Sequence, residues 1–246
     1  MSVTDSLYLP QTGSTNDYLS ALLKKNKLPE GFVVYTGYQT EGKGQKGNTW
    51  ESANGENLLF SLLLNPTKIP LDEHFLLSQS VGLGIKKALD ELTDEITVKW
   101  PNDIFWKDQK LAGILIETTL QGATFKSAVC GIGLNVNQVS FPQQVGNPVS
   151  LKQITDSNHS VPNLLTKIRK HILEIYHNES PENIRQTYFD SLYRQIGWHL
   201  FRDKHETFQA RIADIRPDGQ LGLQTKSGEI RRYYFKEVAF LTPKQP

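Results

Sequence analysis

The sequence predicts a mixed α/β domain followed by a small all-β unit. Three observations carry that expectation. Apolar patterns of helical and strand-like period alternate between residues 14 and 192. After Gly197 the texture changes to short β-rich runs broken by Pro217-Asp218-Gly219 and Ser227-Gly228. The composition, 38% hydrophobic and 22% charged over 246 residues, is that of a folded globular chain and argues against a disordered, fibrous or membrane protein. That length implies one or two domains and allows well over half of the unfolded surface to be buried.

The elements follow in order. Ser14-Thr15-Asn16-Asp17 reads as a helix start, since hydroxyl and amide side chains accept from orphan N–H groups, and Leu19, Leu22 and Leu23 continue at helical spacing. Phe32 to Thr36 is β-branched and aromatic, a strand that runs into the glycine-rich stretch Gly42 to Gly47. Asn57 to Leu64 is a second, buried strand. Leu77, Val81, Ile85, Ala88, Leu89 and Leu92 line one helical face. Ile96 to Trp100, the turn Pro101-Asn102-Asp103, and Ile104-Phe105-Trp106 come next. A polar turn, Lys107-Asp108-Gln109, leads into the strand Lys110 to Thr118, and Lys126 to Asn137 is another strand. Gln138 to Pro162 is polar and proline-punctuated, a long loop with room for a short helix. Two helical patterns follow, Leu165-Ile168-Ile172-Ile175 and Ile184-Tyr188-Leu192. The short runs after them (Trp198 to Phe201, Thr207 to Ile215, Gln220 to Gln224, Ile230 to Phe235 and Val238 to Leu241) suit a small β-barrel of about 50 residues. The expected boundary lies near residue 196, giving domains 1–195 and 196–246.

Charge and cysteine content narrow the function. Lys and Arg number 27 against 26 Asp and Glu, and without a basic block the chain is a poor duplex nucleic-acid binder. A small anionic substrate stays open, because a few aimed groups serve one phosphate. The longest apolar run, 58–64, is far short of the ~20 residues of a spanning helix, so no membrane association is expected. Met1 to Asp5 shows no basic, apolar leader, so no secretory signal is expected. Cys130 is alone, which excludes an internal disulfide or a cysteine zinc cluster and points to a reducing cytoplasm. The six histidines lack metal-binding spacing, and no G-x-S-x-G elbow marks a hydrolase.

Four segments carry chemistry, each with a plainer alternative. Gly42 to Gly47 fits G-x-G-x-x-G in letters, but Asn48 to Gly55 is turn-rich where a dinucleotide fingerprint would open a helix. Gly37 to Lys43 nearly fits a P-loop, yet Gly44 stands where Ser or Thr is required. The segment is either an anion-binding concavity of backbone N–H groups aided by Lys43 and Lys46, or a flexible hairpin with two solvated lysines. In Lys99-Trp100-Pro101-Asn102-Asp103 the proline sets the angle at which Asn102 and Asp103 leave the strand. An amide and a carboxylate there either hold Mg²⁺ against phosphate, directly or through water, or make an ordinary turn. Lys110 opens an apolar strand; it is either a cation aimed at developing negative charge or an edge lysine that discourages aggregation. Asn135 either meets a phosphate or ends its strand.

Taken together, the order and spacing of these segments resemble the biotin protein ligases. The residues are Ser14-Thr15-Asn16, Gly42 to Trp50, Lys99 to Asp103, Lys110 to Glu117, and Gly131-Ile132-Gly133-Leu134-Asn135. The family patterns are S-T-N, G-R-G-R-x-G-R-x-W, K-W-P-N-D, K-x-x-G-I-L-x-E and G-I-G-x-N. Pro148-Val149-Ser150-Leu151 resembles a further family segment, and with the C-terminal unit the resemblance covers nearly the whole chain.

The resemblance implies a mixed sheet with packed helices, of the class II synthetase and biotin-lipoyl ligase type, and a C-terminal SH3-like barrel. It implies that biotin and MgATP give biotinyl-5′-AMP, and that biotin then passes to a lysine of a biotin carboxyl carrier domain of a biotin-dependent carboxylase. Lys110, Lys43 and Asp103 are the implied catalytic residues, with Asp103 also on Mg²⁺. Ser14, Thr15, Asn16, Gln39, Lys43, Gly44, Gln45, Lys110 and Gly113 would bind biotin, and Lys46, Trp50, Asn102 and Asn135 would bind ATP. The loop from Gly42 to Trp50 is expected to be mobile without ligand.

Two positions depart from the pattern: Lys43 and Gln45 stand where arginines are usual. Lysine keeps the charge and loses the bidentate fork, and glutamine keeps only hydrogen bonding. Lys46 is expected to restore part of the missing charge. Some family members carry an N-terminal DNA-binding domain. Here the first motif begins at Ser14, so no such domain and no DNA partner are expected. Pairing of two chains, as a homodimer through sheet edges, is left open. The alternatives are a lipoate or octanoate ligase or transferase, whose usual Gly-Gly-Gly segment and His-Asp pair are absent, and a non-catalytic biotin-binding module.

Overall fold

The computed structural model describes residues 5–142 and 146–241, apart from the side chain of Lys46. A seven-stranded sheet forms the larger layer, in the order β1-β2-β3-β7-β6-β5-β4. Its strands are β1 (Ser6–Thr12), β2 (Val33–Gln39), β3 (Leu58–Leu64), β4 (Ile96–Lys99), β5 (Asp103–Trp106), β6 (Gln109–Gln121) and β7 (Thr124–Leu134). Only β1 and β2 run parallel, joined by helix α1 (Thr15–Lys25); every other neighbour is antiparallel. The sequence reading missed β1, whose Ser-Leu-Tyr-Leu-Pro-Gln-Thr run is short, half-exposed and interrupted by proline. Such an edge strand carries little periodic signal.

The two faces of the sheet are covered differently, and strand periodicity decides how. Even-numbered residues of the central strands (Leu58, Phe60, Leu62; Ala112, Ile114; Cys130, Ile132) enter the main core with α2 (Phe75–Leu89), α4 (Val161–Asn178) and α5 (Pro181–Asp190). Each large side chain buried there contributes about 1.5–3 kcal/mol. The opposite face receives α1 through a small cluster of Leu19, Val34, Leu63 and Val129. Beyond that cluster the same face presents Gly113, Gly131 and Gly133, so part of the sheet is left bare of side chains. That bare patch is the floor of the site described below.

The loop after β7 contains α3 (Leu151–Thr155), as the sequence allowed. The C-terminal unit is a five-stranded antiparallel sheet, β11-β10-β9-β8-β12. Its strands are β8 (His199–Arg202), β9 (Thr207–Ile215), β10 (Leu221–Thr225), β11 (Ile230–Tyr233) and β12 (Ala239–Phe240). Among the described residues the edge strands β11 and β12 do not pair with each other, so this SH3-like unit is an antiparallel sheet left open between those two strands. Phe201, Ile212, Leu221, Leu223 and Tyr233 join the main core. Trp100 donates its indole N–H to the Gly219 carbonyl at 2.9 Å, fastening this sheet to the end of β4. No helix among the described residues is long and apolar enough to cross a membrane.

Candidate active site

A cavity of about 570 Å³ lies on the glycine patch, within the ~300–1,000 Å³ usual for small-molecule sites. It brings together Ser14, Thr15, Asn16, Gln39, Lys43, Gly44, Gln45, Trp50, Asn102, Asp103, Lys110, Gly113 and Asn135. These segments are up to 121 residues apart in the chain (Ser14 to Asn135) and meet only through the sheet. The side chain of Lys46 lies outside the described residues, so its expected compensation for Gln45 is not located.

One end of the cavity is polar and nearly uncharged. Helix α1 starts at Thr15 as expected, but the expected side-chain capping is not made: Ser14, the residue before it, has no side-chain cap bond. Instead Gln39, at the end of β2, accepts from the Thr15 backbone N–H at 2.8 Å and from its hydroxyl at 3.1 Å. Ser61 Oγ lies 2.7 Å from the Thr15 hydroxyl and 2.6 Å from Asn16 Oδ1. Asn16 Nδ2 donates to Glu117 at 2.7 Å and more weakly to the Leu115 carbonyl at 3.3 Å. The helix start is thus held by the sheet, with its polar side chains turned into the cavity floor.

The other end is charged. Lys110 Nζ sits 2.7 Å from Asp103 Oδ1, with both side chains partly exposed to the cavity. The Lys110 backbone is fixed on both sides, donating to Asn147 O at 2.8 Å and accepting from Val149 N at 2.9 Å. Asn102 and the strand beside it are tied reciprocally: Asn102 Nδ2 donates to Ile114 O at 2.6 Å and Ile114 N donates to Asn102 O at 2.9 Å. Asn135 Nδ2 is committed to the Val149 carbonyl at 3.1 Å and, more weakly, to the Lys110 carbonyl at 3.5 Å. Asn135 therefore braces the segment that carries Lys110.

The glycine segment forms the roof. It is a tight hairpin with a bridge between Lys43 and Thr49, a single helical turn at Gln45–Gly47, and Gly44 N donating to Asn48 O at 2.7 Å. Its strand-like return delivers Trp50 onto the floor. A Cβ at Gly133 would lie 2.4 Å from Trp50 Cε2, so only glycine admits the ring there. Lys110 Nζ is 5.7 Å from the centre of that ring. Lys43 reaches back to Asp17 of α1 at 2.6 Å, and this hydrogen bond holds its pKa above the usual lysine range, with Glu117 and Glu41 adding attraction. Just outside, burial lowers the pKa of Lys99, whose ammonium lies 4.5 Å from the Phe105 ring centre and 5.6 Å from that of Phe240.

A sequence profile described as the biotin/lipoate A/B protein ligase family matches residues 8–135, just over half of the 246. The chain belongs to that family. The bifunctional ligase/repressor BirA of Bacillus spizizenii is 31% identical over 229 residues, covering 88% of this chain and 68% of that protein. The biotin–[acetyl-CoA-carboxylase] ligase of Mycobacterium tuberculosis is 30% identical over 181 residues, covering 70% of this chain and 65% of that one. In fold, the chain resembles the biotin protein ligase of Aquifex aeolicus solved in complex with biotin and ATP. The TM-score is 0.78, the identity 24%, and the coverage 97% of this chain and 99% of that one.

Within this biotin/lipoate ligase architecture, some site residues escaped the sequence reading. Ser61 sits in the middle of a fully buried apolar strand and reads as filler until its register places it beside Gly131. Asp17 reads as the ordinary first-turn acid of a helix, yet it pairs with Lys43. Phe235 lines the cavity from the C-terminal sheet, and no sequence signal ties it to the family motifs.

Proposed function

We propose that the chain is an ATP-dependent biotin–protein ligase, with residues 1–195 as its catalytic domain and 196–246 as a smaller β unit closing one side of the site. One observation carries the reading. A single cavity joins an uncharged polar corner, Thr15 with Gln39, to a charged corner where the Lys110 ammonium is held against Asp103. The first suits a ureido ring, which has donors and an acceptor but no charge. The second suits a carboxylate brought against a phosphate, two anions that repel until a fixed cation lies between them.

In the first step a biotin carboxylate oxygen attacks the α-phosphorus of ATP. The bond to the bridging oxygen breaks, giving biotinyl-5′-AMP and pyrophosphate. In the second the amine of a carrier lysine attacks the acyl carbon, loses a proton, and AMP leaves. In this reading Lys110 stabilises negative charge in both steps, and Lys43 with the backbone of Gly44 and Gln45 covers the biotin side. Ser14, Thr15 and Gln39 supply ureido contacts, and Trp50, Asn102 and Asn135 shape the nucleotide side. Among the described residues no three His, Cys, Asp or Glu side chains gather into a metal site. Asp103 alone fits a Mg²⁺ ion carried by the ATP phosphates, since such ions take one or two carboxylates. When bound, the ion would neutralise phosphate charge. The acceptor is the carrier domain of a biotin-dependent carboxylase, and the setting is the reducing cytoplasm. Cys130 is fully buried, and burial pushes its thiol pKa up to about 12, so it is an unreactive core residue.

The test has two parts. Biotin-dependent exchange of labelled pyrophosphate into ATP is expected, and a biotin carrier domain incubated with chain, biotin and MgATP is expected to become streptavidin-reactive. Exchange driven by lipoate or octanoate but not biotin would overturn the substrate assignment. Biotin binding without exchange would leave only a binding module.

A further inference from the structure

We propose that Glu117 is a positioning residue that fixes the donor–acceptor polarity of the biotin site without touching biotin, acting through Asn16 and Ser61. The proposal deepens the biotin reading and rests on it.

Asn16 is only 3% exposed, and its carboxamide contacts three strands, β3, β7 and β6. Beneath it is Gly131, where a Cβ would stand 2.4 Å from Asn16 Oδ1. Its nitrogen has two hydrogens, and both have acceptors on β6: Glu117 Oε2 at 2.7 Å and Leu115 O at 3.3 Å. Its oxygen is engaged by Ser61 on β3 at 2.6 Å. The amide therefore serves as a strut and has no donor left for a ligand.

The direction of the strut matters. A carboxylate only accepts, so Glu117 holds Asn16 Nδ2 toward β6 and Oδ1 toward Ser61. Ser61 is fully buried and has one proton, which Asn16 Oδ1 takes. The Thr15 hydroxyl, 2.7 Å from Ser61 Oγ and 3.1 Å from Gln39 Oε1, must then donate to one of these two acceptors. Its lone pairs are left facing the cavity. A ureido ring brings two N–H groups, which need such acceptors. Glu117 is itself exposed at the rim and does not line the cavity. Any effect of its replacement on biotin affinity is therefore transmitted.

The experiment measures biotin binding by calorimetry without ATP, alongside pyrophosphate exchange and thermal melts, for four proteins besides wild type. Glu117→Ala is expected to raise the biotin Kd and KM about five- to tenfold, with kcat at saturating biotin within twofold. Glu117→Gln keeps an acceptor and should stay within threefold of wild type. Asn16→Asp sets two carboxylates against each other and should weaken biotin further than Glu117→Ala. The swap, Asn16→Asp with Glu117→Gln, restores one donor–acceptor pair and still accepts from Ser61, so it should recover most of the lost affinity. Because the alanine variant changes an exposed side chain, an unaltered melt is expected. Unchanged biotin affinity in Glu117→Ala, or a swap no better than Asn16→Asp alone, would overturn the positioning role. Failure of wild type to bind biotin would instead overturn the function on which it rests.

Discussion

Replacing Lys110 by alanine is expected to separate catalysis from folding, and the geometry sets both magnitudes. The ammonium is paired with Asp103 at 2.7 Å, with the two side chains 34% and 22% exposed. Partly solvated pairs of this kind contribute about 0–1 kcal/mol, and the Trp50 ring 5.7 Å away adds about 0.5–1 kcal/mol. The backbone of residue 110 keeps both its hydrogen bonds, to Asn147 and Val149, whatever the side chain. Stability should therefore fall by at most about 2 kcal/mol, or some 4–8 °C in Tm for a chain of this size. Catalysis should fall much further. A fixed charge aimed at a developing anion is typically worth about 10²–10³ in rate, and the two steps proposed here both build negative charge beside Lys110. The assay is biotin-dependent pyrophosphate exchange at saturating biotin and MgATP, with a melting curve on the same preparation. Exchange within tenfold of wild type would remove Lys110 from the chemistry. A collapsed melt would show that its role is structural.

Three further outcomes follow from the same structure. Gly133→Ala places a methyl 2.4 Å from Trp50 Cε2; the ring must leave the floor, so biotin-dependent exchange should fall at least tenfold at a stability cost of about 1–3 kcal/mol, read by exchange assay and urea titration. Ser150→Ala removes the capping box in which the Ser150 hydroxyl accepts from Gln153 N and the Gln153 side chain accepts from Ser150 N, and should lower stability by about 1 kcal/mol in a denaturant titration. The carboxyl of Asp203 accepts from the Glu206 and His205 backbone N–H groups and from the Tyr233 hydroxyl, which lower its pKa to about 2. Its folded value lies below the ordinary ~4, so its stabilisation is complete above pH ~4 and is lost as pH falls toward 2. Asp203→Asn should flatten the acid limb of a stability–pH curve in that window and leave the slope above pH 5 unchanged.

Much of the architecture was legible because the patterns are periodic. The strand at Leu58 to Leu64, the helix through Val81 and Ile85, and the helices carrying Ile168 and Ile184 are all found where their spacing placed them. Edges were less legible. β1 offers only the short run Leu7-Tyr8-Leu9 before a proline, and the C-terminal strands lie where their spacing placed them, while which edges pair depends on contacts that no local pattern encodes. The site shows the same division. Motif residues such as Thr15, Gln39 and Lys110 do converge on one cavity. Ser61 and Phe235 were invisible because their importance comes from register and packing across the chain, and neither is signalled by its neighbours in sequence. Asn16 also lines the cavity, with its amide hydrogen-bonded to Glu117 and Ser61.

The segment Lys99 to Asp103 shows why the C-terminal sheet belongs to the catalytic argument. Its residues divide between two neighbours. Lys99 and Trp100 turn toward the C-terminal unit, the first under the Phe240 ring and the second bonded to Gly219. Asn102 and Asp103 turn toward the cavity, the first tied to Ile114 and the second to Lys110. An error in how the C-terminal sheet seats on Trp100 is therefore passed, within three residues, to the carboxylate that pairs with Lys110. Phe235, in the turn between β11 and β12, lines the same cavity. The C-terminal unit thus both holds the turn and supplies part of the cavity lining, and truncating it should disable the site even where the larger sheet stays folded.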